Sequence, residues 1–260
     1  EHFQETLPKP FPLVCKPDWG ERGDGVSIVQ EENELPEALQ RAGPSPIIQE
    51  FVGGLEYGVF FEKGASETSG QITSITRKIH TSVVGDGIRT LDELILDDNR
   101  AVCSYPYFRK HHKTRLMSIP SRGEICELAQ LGSHCRGSLF LDGSHLHTRK
   151  LVEAVDAVFE GTEGLCFGRI DLKCPSDEDF MAGRNLTVLE FNGVTSEPTH
   201  IYDPRFSLFT AYRTVFSQWK RAFAIAAENV ERGHTPLSAR NTLRILLAAL
   251  RGRPPKPLIR

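Results

Sequence analysis

The stretch from Gly168 to Ser196 constrains this chain more than any other. It reads Gly168-Arg169-Ile170-Asp171-Leu172-Lys173, then a polar, Gly-containing connection over Cys174–Asn185, then Val188-Leu189-Glu190-Phe191-Asn192-Gly193. Two short apolar runs flanking a loop predict two adjacent antiparallel strands. Side chains alternate between faces along a strand, so Arg169 and Asp171 share a face of the first run, and Glu190 and Asn192 share a face of the second. Two carboxylates and an amide oxygen brought to one surface are a hard-oxygen set suited to Mg²⁺, which also holds phosphate oxygens. The competing reading is a solvated hairpin, because acidic residues are common on exposed sheet faces.

Composition narrows the setting. At 260 residues, with 39% hydrophobic and 25% charged residues, the chain can form one large domain or two lobes with a real core. No apolar run approaches the ~18 residues of a membrane span. The chain opens on Glu1 with no signal peptide, which reads as a piece of a longer protein. Cys15, Cys103, Cys126, Cys135, Cys166 and Cys174 form no CxxC pair, so a zinc site or disulfide framework is not expected and a cytoplasmic location is.

The rest of the chain supplies weaker signals. Phe11–Lys16 reads as a strand ending in Lys16-Pro17, and Val26–Gln30 as its partner. Between them Gly20, Gly23 and Gly25 lie in a loop whose backbone N–H groups could close over phosphates. No Gly-Lys-Ser/Thr follows, so it is not a Walker A loop, and an ordinary hairpin loop is the commoner meaning of such a stretch. Glu34–Ala42 predicts a short helix, Pro46–Val52 and Glu56–Glu62 predict strands around a Gly53-Gly54 bend, and Gln71–Val84 is β-branched with Arg77, Lys78 and His80 embedded. Thr90-Leu91-Asp92-Glu93 is a capping box after a Gly85-Asp86-Gly87 turn. Phe108–Arg115 is a basic run, read as a solvated face that would also suit an anionic substrate. Glu124–Leu131 predicts a helix. Ser138–Leu141 and His145–His147 predict a tight hairpin, with both histidines on its second strand, and Thr148 caps a helix to about Phe159.

Taken in order, these parts resemble the ATP-grasp superfamily. A Lys-Pro strand end, a glycine flap, Gln49-Glu50-Phe51-Val52 with Glu56 after it, then GRID and LEFNG are similar to the D-alanine–D-alanine ligase branch. The Val84–Gly87 turn and its helix resemble the ATP-grasp region of cyanophycin synthetase. The resemblance covers about 10–206 and implies an α+β fold of two lobes with ATP between them. The smaller lobe would be about 1–50 and the larger about 51–206, followed by a basic helical extension at 207–260. It further implies that Lys16 contacts the phosphates under a flap of Gly20, Gly23 and Gly25. Glu50, Phe51 and Val52 would lie at the adenine edge and Glu56 at the ribose. Asp171, Glu190 and Asn192 would hold Mg²⁺ (or Mn²⁺), and Arg169 would stabilise the transferred phosphoryl group. The implied activity is ATP-dependent ligation of a small-molecule carboxylate to an amine. A nucleotide-binding module without turnover, lacking an N-terminal substrate domain or a partner chain, is the alternative, and a small-molecule kinase the third. The pattern is departed from at the acceptor loop, Gly132–Gly137, and at Gly193–His200, so D-alanine is not implied as the substrate.

The tail is compositionally distinct. From Ser207 to Arg260 there are ten Lys/Arg against Glu228 and Glu231, while the remainder carries 21 basic and 32 acidic residues. Phe209, Tyr212, Phe216, Trp219 and Phe223 recur at helical spacing on a helix ending near Glu231, an aromatic stripe expected to pack on the ATP-binding lobe. Thr235-Pro236 predicts the start of a second helix, basic and amphipathic, which would also fit an anionic membrane or an acidic partner. Nucleic acid is not expected, since no reading motif accompanies the charge.

Overall fold

The computed structural model of the chain describes residues 11–18, 23–129, 137–160, 162 and 165–250. Its organisation is α+β, as the sequence predicts. Strands β1 (Leu13–Pro17), β2 (Ser27–Val29) and β3 (Pro46–Glu50) form an antiparallel sheet in the order β2-β1-β3. Helix α1 (Leu35–Ala42) packs on it through Ala38 and Ala42, which meet Leu13, Cys15 and Val29. Gly25, in the turn before β2, has φ 71°, and a Cβ there would stand 2.6 Å from the Pro17 ring. Only glycine fits that close approach.

Residues 51–54 carry the chain into β4 (Leu55–Glu62), the middle strand of a second sheet. This antiparallel sheet adds β5 (Gln71–Ile79), β8 (Leu139–Asp142), β9 (Phe167–Cys174) and β10 (Thr187–Asn192) in the order β10-β9-β4-β5-β8. The period of two decides its layers. Tyr57, Val59 and Phe61 point with Ile75, Ile170 and Leu172 into an apolar core. Helix α4 (Arg149–Phe159) seals that core with Leu151, Val155 and Phe159, its first turn capped by Thr148, which accepts from the Leu151 N–H. Glu56 and Gly58 therefore stand on the other face, which is polar where β4, β5, β9 and β10 meet. A third cluster gathers β6 (Ser82–Val84), helix α2 (Leu91–Asp97), helix α3 (Tyr105–His111) and β7 (Ile125–Glu127) around Leu91, Ile95, Phe108 and Cys126. The predicted capping box opens α2: Thr90 Oγ1 accepts from the Glu93 N–H at 3.3 Å, and the Glu93 carboxylate accepts from the Thr90 N–H at 2.7 Å.

Several expectations are corrected. The helix predicted from Glu124 is instead strand β7 over Ile125–Glu127, paired with β6; its exposed-buried-exposed alternation drives Cys126 into the third cluster. The hairpin predicted over 138–147 does not close on itself. Strand β8 pairs with β5, Asp142 accepts from the Ser144 N–H and hydroxyl, and the chain turns through a single 3₁₀ turn at Ser144–Leu146 that buries Leu146. His145 and His147 thus do not form a strand pair. Within the predicted Cys174–Asn185 loop lies a short helix, α5 (Asp177–Met181), capped by Ser176.

In the tail, helix α6 (Leu208–Glu231) ends where predicted, but α7 (Ala239–Leu250) begins later than predicted. Ser238, not Thr235, caps it, accepting from the Asn241 N–H at 3.3 Å. The aromatic stripe does not pack on the body. Ala222 and Ile225 are the residues that α6 buries, against Phe60 and Phe167, while Phe209, Phe216 and Phe223 are 78%, 73% and 70% exposed. Burial followed the small, aliphatic face of this helix rather than its larger aromatic one. Gly20 and residues 132–136 of the acceptor loop lie outside the described residues.

Candidate functional site

Register brings the chemistry together. Glu56 on β4 pairs with Lys78 on β5 and Lys173 on β9; two residues on, Gly58 pairs with Thr76 and Asp171. Across the next strand Asp171 pairs with Glu190, and Arg169 with Asn192. An irregularity between Val188 and Glu190 inserts Leu189 as the extra residue of a β-bulge, which places Glu190 opposite Asp171. The alternation of Arg169, Asp171 and Lys173 puts all three on the polar face.

A continuous chain of charge runs across that face. Lys78 Nζ lies 2.9 Å from Glu56 Oε1 and 3.2 Å from Asp171 Oδ1. The Arg169 guanidinium donates to both Asp171 oxygens, Nε to Oδ1 at 2.9 Å and a terminal nitrogen to Oδ2 at 3.2 Å. That planar fork fixes the guanidinium's orientation. The segment after β10 holds Arg169 from the other side: its N–H donates to Ser196 Oγ and its side chain to the Glu197 carbonyl. Gly58 leaves the space these groups fill, since a Cβ there would be 3.1 Å from Arg169 Cδ and 3.2 Å from Asp171 Oδ1.

Burial sets the electrostatics. Asp171 and Glu56 are both buried. Burial alone pushes the Glu56 carboxyl up, but the hydrogen bond from His80 and the charge and hydrogen bond of Lys78 outweigh it and draw the value down to about 2. Asp171 behaves likewise: burial raises it, Lys78 and Arg169 lower it, and the net direction is down. Glu190 is exposed at the rim. One Asn192 amide nitrogen stands 3.2 Å from Asp171 Oδ2 and 3.1 Å from Glu190 Oε1, so both carboxylates reach toward a single point.

Beside this network a cleft of about 170 Å³ is lined by Ile28, Gln30, Phe51, Gly53, Gly54, His80, Glu127 and Lys173. His80 joins the two, its Nε2 3.4 Å from Glu56 Oε2. Lys173 donates to the Val52 carbonyl at 2.9 Å and sits 5.1 Å over the Phe51 ring; burial lowers its pKa.

The structure thus brings Arg169, Asp171, Glu190 and Asn192 together, and links Glu56 to them through Lys78. Phe51 lines the cleft. Lys16, half-buried on β1 opposite Ile47, and Glu50, at the exposed end of β3, stand outside its lining, as do Gly23 and Gly25. Among the described residues no group of three or more His, Cys, Asp and Glu is gathered for a metal, so an oxygen set here depends on the Asn192 amide. Sequence reading assigned no role to Lys78, His80 or Lys173. The signal for Lys173 was present in its two-residue step from Asp171; that for Lys78 and His80 needed the β4–β5 register.

No protein-family model matches the chain, and no curated protein matches its sequence. Among solved structures it is similar to a D-alanine–D-alanine ligase from Bacillus anthracis, with 16% identity and a TM-score of 0.46, over 88% of this chain and 57% of that one. It is similar to the VanG D-Ala:D-Ser ligase from Enterococcus faecalis, with 13% identity and a TM-score of 0.42, over 84% and 52%. It is also similar to a bifunctional glutathione synthetase from Pasteurella multocida, with 18% identity and a TM-score of 0.39, over 74% and 28%. The chain spans between 28% and 57% of the lengths of these structures.

Proposed function

We propose that this chain binds ATP and joins a small-molecule carboxylate to an amine by way of an acyl phosphate. The unit responsible is an ATP-grasp region at about 1–206, with lobes at about 1–50 and 51–206, and 207–260 is an extension of it. The observation that carries the reading is the polar face of the second sheet, where Arg169 is locked by Asp171 beside Glu190 and Asn192. The donor set fits Mg²⁺. Asp171 Oδ2 and Glu190 Oε1 converge on one amide group, and an amide carries an oxygen acceptor as well as its nitrogen donor. Mg²⁺ held by Asp171, Glu190 and Asn192 would neutralise phosphate oxygens and orient the nucleotide.

The remaining chemistry belongs to the chain. A substrate carboxylate oxygen attacks the γ-phosphorus, the bond to the bridging oxygen breaks, and ADP leaves. The amine nitrogen then attacks the acyl carbon, phosphate departs, and the nitrogen gives up a proton. Charge accumulates on phosphoryl and then carbonyl oxygens, and positioned cations stabilise it at no reorganisation cost during the reaction. Arg169 is such a cation. The ring of Phe51 under Lys173 suits the flat base of the nucleotide at the cleft.

Hydroxylamine tests this directly. With MgATP and a panel of amino acids and small carboxylic acids, an acyl hydroxamate and ADP are the expected products. Nucleotide binding with neither product from any acid would reject ligation in favour of a module that only binds.

A further inference from the structure

The tail carries a feature that ligation does not use. We propose that α6 and α7 form a docking surface for an anionic lipid bilayer. On α6 the aromatic residues Phe209, Tyr212, Phe216, Trp219 and Phe223 recur at alternating steps of three and four, so they form one line along the helix. All five are exposed. The opposite side of the helix is fastened to the body: Gln218 donates to the Ser196 carbonyl at 2.8 Å, Arg221 lies 3.4 Å from Glu62, and Glu228 accepts from Ser66. The outward direction of the stripe is thereby fixed. Helix α7 repeats the pattern with Leu243, Leu246, Leu247 and Leu250 exposed on one side.

Charge selects the occupant. Beside the stripe stand Arg213 and Lys220, and beside the leucines stand Arg240 and Arg244, all exposed. One acidic residue of the tail, Glu228, turns to the body; the other, Glu231, lies at the far end of α6. The segment 232–260 has no acid at all, whereas 1–206 carries 32 acidic residues against 21 basic. A negatively charged surface therefore attracts the tail and repels the body, which sets an orientation as well as an affinity. A second copy pairing stripe to stripe in antiparallel fashion would place Arg213 and Lys220 against like charges, with no acidic partners along the seam. Phe, Trp, Tyr and Leu above a basic rim are the composition of helices that lie in a bilayer interface. Shallow insertion needs no spanning helix, and among the described residues no helix is long and apolar enough to cross a membrane.

The test is co-sedimentation of the full chain with vesicles of phosphatidylcholine alone and of phosphatidylcholine with about 30% phosphatidylserine. Binding is expected to the anionic vesicles and not the neutral ones, and to weaken as salt rises from about 0.05 to 0.5 M. Phe216→Ser with Phe223→Ser, and separately Arg240→Glu with Arg244→Glu, should each weaken it by about tenfold or more. Both pairs are exposed, so thermal melting should match the parent; a body-facing change, Gln218→Ala, should leave vesicle binding unaltered. Failure to bind anionic vesicles at low salt, or binding by either double variant as tight as the parent's, overturns the proposal. So does a stable dimer that the phenylalanine pair converts to monomer, which would place a second copy on the stripe. Binding of poly-glutamate with the same loss in both double variants, and none to vesicles, would assign the surface to an acidic polypeptide instead. None of these readouts involves ATP, so they stand or fall apart from ligation.

Discussion

Replacing Lys78 with Met tests the charge network at its buried centre. Methionine keeps the stem of the side chain and removes the cation that lies 2.9 Å from Glu56 and 3.2 Å from Asp171. In the parent, Glu56 has a folded pKa of about 2 against an ordinary 4.5. A difference of that size is worth about 3 kcal/mol at neutral pH. The sign follows from the direction. A depressed carboxyl contributes stability that is fully present above about pH 4.5 and lost as pH falls toward 2. Without Lys78, Glu56 keeps His80 and the cross-strand charge of Lys173, and burial, the largest single influence on its pKa, is expected to prevail. The folded carboxyl should then titrate above its unfolded value, so the variant is penalised most at high pH and relieved as pH falls through the raised value. Loss of one partner from a buried ion pair costs about 3–5 kcal/mol, and that is the deficit expected at pH 7.5. Urea unfolding followed by circular dichroism at pH 7.5 and pH 5 measures it. The gap between variant and parent should narrow by at least about 1 kcal/mol at the lower pH. A deficit below about 1 kcal/mol at pH 7.5, or one unchanged at pH 5, refutes the reasoning.

Three further outcomes separate site from scaffold. Glu190→Gln should change stability by no more than about 0.5 kcal/mol, as for an exposed residue, yet strongly weaken Mg²⁺-dependent ATP turnover; equal turnover in both proteins at every Mg²⁺ level would remove Glu190 from the site. Arg169→Lys should leave ATP affinity within about threefold while lowering turnover by about 10²–10³, because an ammonium cannot reproduce the two-pronged contact with Asp171; isotope-trapped ATP and single-turnover ADP release give the two quantities. On α6, Trp219→Ala should shift the thermal midpoint little, whereas Ile225→Ala should cost about 2–5 kcal/mol; the reverse ranking would mean that the aromatic side of the helix is the packed one.

How much of this was legible in the sequence depended on how local the determining interaction is. Strands β9 and β10, the capping box at Thr90, the Thr148 cap and the end of α6 follow from neighbours within a few residues, and all lie where the pattern put them. Ile125–Glu127 was misread as helix because three residues carry too little periodicity, and only the partner strand β6 fixes their state. The 138–147 stretch was misread because β8 pairs with β5, some sixty residues away in sequence, in preference to folding back on itself. Such non-local pairings leave no trace at short range. The aromatic stripe failed for another reason. Period marks an apolar face but not which of two apolar faces a helix buries, and Ala222 with Ile225 fits closely against Phe60 and Phe167.

The site shows the same division. Sequence alternation alone placed Arg169 with Asp171, and Glu190 with Asn192, but their joining across strands required the bulge at Leu189. Lys78 had no local signal, yet it decides the charge balance of the buried layer. Glu56 and Asp171 are two buried carboxylates, and Lys78 and Arg169 are the two cations that contact them. Lys173, also buried, lies on the same face opposite Glu56, and with the half-buried Arg169 it leaves this layer one positive charge in excess. Glu190, at the exposed rim, supplies the balancing negative charge; it pairs across the strands with Asp171, and both carboxylates accept from the Asn192 amide. A cation added at the rim would neutralise Glu190 without forcing Lys78 or Arg169 out of place. Under the proposed function that separation has a consequence: the guanidinium stays aimed while metal and nucleotide come and go. The buried pair supplies rigidity, and the rim supplies the exchangeable charge.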